Sequence, residues 1–69
     1  MKVSLNGRTQ ELRDGATVAE AVSVVAEGPS EARGVAVAVN GEVVARSRWD
    51  EVWLDEEDRV EVLRAVGGG

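Results

Sequence analysis

The chain has 69 residues, no cysteine and no histidine, and it carries a formal charge of −5. That length allows one domain, which buries only about 60% of the surface its unfolded chain would expose. The missing residues rule out disulfides, thiol nucleophiles and iron–sulfur ligands, along with the commonest general base and metal ligand, and the acidic charge argues against nucleic-acid binding.

Lys2-Val3-Ser4-Leu5 alternates polar and apolar residues, as a half-buried strand does. Asn6-Gly7 follows, a hairpin signal because both residues tolerate positive φ. Arg8 to Leu12 is the return strand, with Leu12 its one clearly apolar residue. No apolar h-region for a signal peptide stands at the N-terminus, and no apolar run approaches the roughly 18 residues of a membrane span. A cytoplasmic protein is the expectation.

Asp14-Gly15 marks a turn, and Thr17-Val18-Ala19-Glu20 matches a capping box with Thr17 as N-cap. Val18, Ala21, Val22 and Val25 fall on one helical face, with Glu20, Val24 and Glu27 on the other. Gly28-Pro29 stops the helix, so its predicted span is Val18–Glu27.

A polar link from Ser30 to Gly34 leads into Val35-Ala36-Val37-Ala38-Val39, apolar on both faces and suited to a central strand. Asn40-Gly41 repeats the hairpin signal, and Glu42 to Ala45 forms a short partner strand. Arg46 to Trp53 reads as irregular, with a helical turn near Trp49. Asp55 to Asp58 is an acidic turn, and Arg59 to Val66 is the last strand. The order ββαββ plus a final strand is that of the β-grasp fold. The expected class is α+β, a mixed five-stranded sheet covered on one face by one main helix. Residues 1–66 form the domain and 67–69 a flexible glycine tail.

Few side chains suggest chemistry. Asp50, Glu51, Asp55, Glu56, Glu57 and Asp58 crowd one stretch, but they lack calcium-loop spacing and fit a solvated face or an electrostatic guide for a basic partner. Trp49 and Trp53 are the only aromatics and suit packing, with an interface anchor as the alternative. Arg46 and Arg48 are expected to pair with the nearby carboxylates rather than hold a phosphate. No catalytic residue, metal site or bound cofactor is predicted.

Gly67-Gly68-Gly69 is the unusual feature. A frayed end is the plain alternative. Glycine has no Cβ, so the tail fits a narrow channel closed to other residues. Three glycines reach about 10 Å. A free α-carboxylate on Gly69 is a group that an enzyme can activate. Strand periodicity adds a docking face. Val60 and Val62 belong to the helix-covered core with Val3, Leu5, Val35, Val37 and Val39. The opposite face then carries Ser4, Ala36, Ala38, Glu61, Leu63 and Ala65, with Leu63 its one large apolar side chain. The competing expectation is that the Trp49–Trp53 segment folds over Leu63.

The whole chain resembles the ThiS family, ubiquitin-like sulfur carriers used in thiazole formation for thiamin. The likeness rests on Val3-Ser4-Leu5-Asn6-Gly7, Gly15-Ala16-Thr17-Val18, the run from Val35 to Val44, Arg46-Ser47-Arg48-Trp49, Asp58 to Leu63 and the final Gly68-Gly69. Glu57 stands where the family often has glycine, which implies a different turn. Ala45 stands where it often has proline, which implies a looser strand end, and the third glycine adds reach. The resemblance implies that an adenylating enzyme like the ubiquitin activators spends ATP on Gly69, that a sulfur donor converts the adenylate to a thiocarboxylate, and that thiazole synthase receives the sulfur. Gly67 and Gly68 would supply the slenderness the partner's channel requires. The carrier itself would be no enzyme, and monomeric alone. Other sulfur pathways (molybdopterin, cysteine or a natural product), a protein modifier and a pure interaction domain remain open as alternatives.

Overall fold

Two Asn-Gly turns set the registers from which the sheet is built. In a computed structural model, which describes residues 1–25 and 34–64 (of Arg64 the backbone alone), Asn6 and Asn40 have φ of 52° and 50°. Gly7 and Gly41 follow at 83° and 86°. Two successive residues of positive φ make the type I′ turn, whose twist matches that of its flanking strands. The first turn joins β1 (Lys2–Leu5) to β2 (Arg8–Glu11) with Leu5 opposite Arg8. The second joins β3 (Val35–Val39) to β4 (Glu42–Val44) with Val39 opposite Glu42.

The last strand, β5 (Arg59–Arg64), enters between the hairpins, giving the order β2-β1-β5-β3-β4. It runs parallel to β1 and antiparallel to β3. This is the expected mixed five-stranded sheet. Val3, Leu5, Val37, Val60 and Val62 are buried, while Val35 and Val39 pack half-buried against them. Helix α1 (Val18–Val25) covers that face with Val18, Ala21 and Val22 buried, and it leaves Val24 about half exposed. The predicted extension to Glu27 and the Gly28-Pro29 stop lie outside the described residues.

The start of α1 is held from three sides. A helix leaves its first N–H groups without internal partners. Here the Val18 N–H donates to the Val52 carbonyl at 3.0 Å, and the Ala19 N–H to the Trp49 carbonyl at 3.1 Å. The Thr17 N–H donates to Glu20 Oε2 at 2.9 Å, which is the Glu20 half of the expected capping box. The Glu20 N–H donates to the Thr17 carbonyl at 3.1 Å. Arg13 clamps the same carboxylate through Nε at 2.7 Å and Nη2 at 2.8 Å. The Arg13 hydrogen bonds, followed by the Thr17 N–H, hold the Glu20 carboxyl below its ordinary range.

Residues 49–54 therefore do more than an irregular connection would. Beyond their bonds to α1, they pair with residues 16–18: the Leu54 N–H donates to the Ala16 carbonyl at 2.9 Å, and Thr17 bridges Trp53. This puts Trp49 and Leu54 into the core. A 3₁₀ turn at Arg46–Arg48 leads into the segment. Ala45 before it sits at φ −61° and ψ 141°, the path a proline would lock, so β4 ends in that geometry without the ring.

One expectation is corrected. The turn before β5 is not rebuilt to suit a non-glycine residue. Glu57 enters the left-handed region at φ 68°, and its N–H donates to the Lys2 carbonyl at 2.7 Å. That backbone bond ties the turn to β1. A left-handed residue with a Cβ costs about 1–2 kcal/mol, and glycine offsets part of the gain by about 0.5–1 kcal/mol of chain entropy. Glu57→Gly should therefore raise stability by about 0.5–1 kcal/mol, read as a higher urea midpoint at an unchanged slope.

Candidate functional site: the open face of the sheet along the last strand

One helix covers one face, so the other face of the sheet meets solvent. Alternation puts Arg59, Glu61 and Leu63 of β5 on that open side. Register brings neighbours to them: Ala36 lies opposite Leu63, and Ala38 opposite Glu61. Ser4 of β1 lies beside Arg59 on the same side, so five of the six residues predicted for this face are brought together. The sixth, Ala65, lies outside the described residues, as do Gly67, Gly68 and Gly69.

Leu63 is 66% exposed, so the Trp49–Trp53 segment does not fold over it. That segment lies on the helix side, where Trp49 is buried and donates its indole N–H to the Val44 carbonyl at 3.1 Å. Trp53 is 70% exposed beside Thr17. One tryptophan is core and the other is surface.

The open face holds one residue that the sequence reading missed. Val43 on β4 lies opposite Ala38 and is 80% exposed, so Leu63 is not the only large apolar side chain there. The signal was present. A two-residue turn at Asn40-Gly41 pairs Val39 with Glu42, and the next pair must be Ala38 with Val43. Leu63, Ala36, Ala38 and Val43 form an apolar half-face. Across β5 the surface turns polar: Ser4 lies opposite Thr9, and Lys2 opposite Glu11. Arg59 and Glu61 make a long ion pair at 3.9 Å between the two halves.

The acidic stretch serves local structure. Both Glu56 oxygens accept from the Lys2 N–H at 3.2 and 3.1 Å. Asp58 Oδ2 accepts from the Asp55 N–H at 2.7 Å, and Asp58 Oδ1 from Asn40 Nδ2 at 3.0 Å. Arg48 pairs with Glu51 at 3.7 Å, as expected, and the Arg46 guanidinium stacks 5.6 Å from the Trp49 ring centre. Among the described residues no group of carboxylates is arranged to hold a metal ion, and no helix is long and apolar enough to cross a membrane. What this face can do chemically is bind a complementary surface.

The comparisons with known proteins agree with this architecture. A family model described as the ThiS family matches residues 3–69. The crystal structure of the thiamine biosynthesis protein ThiS from Geobacter metallireducens superposes with a TM-score of 0.79 at 31% identity, over the whole of both chains. A solution structure of a thiamine biosynthesis protein from the same organism gives 0.76 at 31% identity, over all of this chain and 88% of the other. A thiazole synthase of Magnetococcus marinus is 35% identical across all 69 residues, which make up 20% of its length. The chain thus spans about a fifth of that relative.

Two substitutions on neighbouring β5 positions check the assignment of faces. Leu63→Glu should change stability by less than about 1 kcal/mol, because its side chain already meets water. Val62→Glu puts a carboxylate into the core and should unfold the chain at neutral pH. Urea titration followed by tryptophan fluorescence, in which buried Trp49 reports the loss of the core, distinguishes the two.

Proposed function

This chain belongs to the ThiS family of ubiquitin-like sulfur carriers, and from that membership we propose that it carries sulfur on the C-terminal carboxylate of Gly69. The observation that carries the proposal is the match of the family over residues 3–69, glycine tail included, on a fold that superposes along its whole length. Residues 1–66 act as the folded body and 67–69 as the delivered tail, in a cytoplasmic monomer that visits its partners in turn.

A carboxylate is a poor electrophile because its charge is delocalised. An adenylating partner removes that obstacle. The Gly69 carboxylate attacks the α-phosphorus of ATP, pyrophosphate leaves, and an acyl-adenylate forms. A sulfur nucleophile at the level of hydrosulfide then attacks the acyl carbon. AMP departs, one proton is released, and a thiocarboxylate remains. Its terminal sulfur is soft and anionic, fit to be handed to an acceptor. Gly67 and Gly68 keep the approach slender. The open face of β5, with Leu63 and Val43 as its large apolar side chains, is the surface that a partner would grip while the tail reaches its site.

Thiazole synthase is the recipient this reading favours. The Magnetococcus marinus relative bears that name and contains a stretch matching this whole chain as a fifth of its length. A synthase holding a carrier-like segment in its own polypeptide supports a pairing of the two functions here as well.

Removing Gly68 and Gly69 should leave the urea midpoint unchanged and abolish ATP–pyrophosphate exchange by the host's adenylating enzyme. A tag joined after Gly69 should do the same, and a tag before Met1 should not. Leu63→Glu should raise KM in that assay about tenfold or more with the fold intact, since it places a charge in an apolar contact. Unimpaired exchange by the truncated chain would refute the assignment of Gly69.

A further inference from the structure

Asn6 does more than turn the first hairpin. Its φ of 52° serves the type I′ turn, and a glycine would serve that turn equally well. The side-chain amide is engaged elsewhere. Its Oδ1 accepts from the Val62 N–H at 2.7 Å, and its Nδ2 donates to the Val62 carbonyl at 3.2 Å. Both bonds are partly shielded from solvent, where a hydrogen bond resists exchange with water. The Asn6 backbone N–H donates to the Val60 carbonyl at 2.9 Å. β1 ends at Leu5 while β5 continues to Arg64. The amide therefore acts as a surrogate strand residue, holding both peptide groups of Val62 where the partner strand has already turned away.

Val62 lies just before the end of the described strand, and the chain continues from Arg64 to the glycines. We infer that Asn6 is a positioning residue for the C-terminal tail: its amide pins β5 at Val62 and so fixes the direction in which the chain leaves the fold. This rests on the reading of Gly69 as the acceptor. Group transfer at a chain end depends on aim, and a misplacement of about 1 Å costs on the order of a hundredfold in rate. Docking is a separate matter, set by the open face. Asn6 should therefore act on kcat, as an interaction made in the transition state does, and a docking residue on KM.

The second hairpin supplies a matched control. Asn40 Oδ1 accepts from the Arg59 N–H at 2.9 Å, and its backbone N–H donates to the Arg59 carbonyl at 2.7 Å. It grips the opposite end of β5, away from the tail. Its φ of 50° is again open to glycine. Asn6→Gly and Asn40→Gly thus remove the same amide from the same turn type at the two ends of one strand.

The test uses the full chain, wild type and with Asn6→Gly, Asn6→Asp or Asn40→Gly. Amide hydrogen exchange and ATP–pyrophosphate exchange with the host's adenylating enzyme are both measured. Asn6→Gly should speed exchange at Val62 about tenfold or more and lower kcat about tenfold at an unchanged KM. Asn40→Gly should speed exchange at Arg59 and leave kcat and KM as they were, at a similar fall in Tm. Asn6→Asp keeps the acceptor for the Val62 N–H and loses the donor to the Val62 carbonyl, so its kcat should lie between wild type and Asn6→Gly. Equal losses of kcat in the two glycine variants, or an unchanged kcat in Asn6→Gly, would overturn the positioning role alone. A wild-type chain that the enzyme does not adenylate would overturn the carrier reading and the positioning role together.

Discussion

Insertion of the last strand between the first and the third is the constraint on which this fold depends. Neither Asn-Gly hairpin is a stable object by itself, since an isolated pair of strands is marginal in water. β5 joins them, parallel to one and antiparallel to the other, and it buries Val60 and Val62 under the helix. β5 pairs with β1 from the other end of the chain and with β3 across the segment between, so its contacts close long loops, which slows folding. Backbone bonds alone do not complete it. Asn6 and Asn40 each add a side-chain oxygen to an N–H of β5, at Val62 and at Arg59. The residue type that makes a type I′ turn possible thus also fastens the central strand.

A second dependence runs between the helix and the segment after β4. α1 begins within the reach of residues 49–54, whose carbonyls at Trp49 and Val52 take its first N–H groups. That service fixes the path of the segment. The path in turn sends Trp49 and Leu54 inward and leaves Trp53 at the surface. In so small a domain a connection cannot be idle. The same stretch closes the core at its edge and satisfies the helix end, and it leaves the far side of the sheet uncovered.

Where the governing physics is local, the sequence announced the structure. The two Asn-Gly pairs, the alternation of Val3 and Leu5 and the spacing of Val18, Ala21 and Val22 each depend on neighbours a few residues away, and each element formed where its pattern stood. Leu54 and Trp53 were not legible in this way. Their fates follow from a pairing with residues 16–18 that no periodicity encodes. Glu57 was misread because its left-handed turn is imposed by the tie to Lys2 rather than by its own preference. The open face of the sheet was legible as far as strand alternation carries. Val43 could have been added from the register of its hairpin, whereas the grip of Asn6 on Val62 needed coordinates.

On the proposed function, the folded body and the tail divide the work. The chain holds no cysteine or histidine, and the proposal assigns its part in the chemistry to the end group. The account places the acceptor at Gly69 and the specificity on the open face. Its most direct test is the intact mass of the chain after incubation with its host's adenylating enzyme, ATP and a sulfide source, followed by fragmentation of the C-terminal peptide. The account predicts replacement of one oxygen by sulfur, located on Gly69. An unchanged mass under conditions where ATP is consumed, or a sulfur found on any other residue, would contradict it.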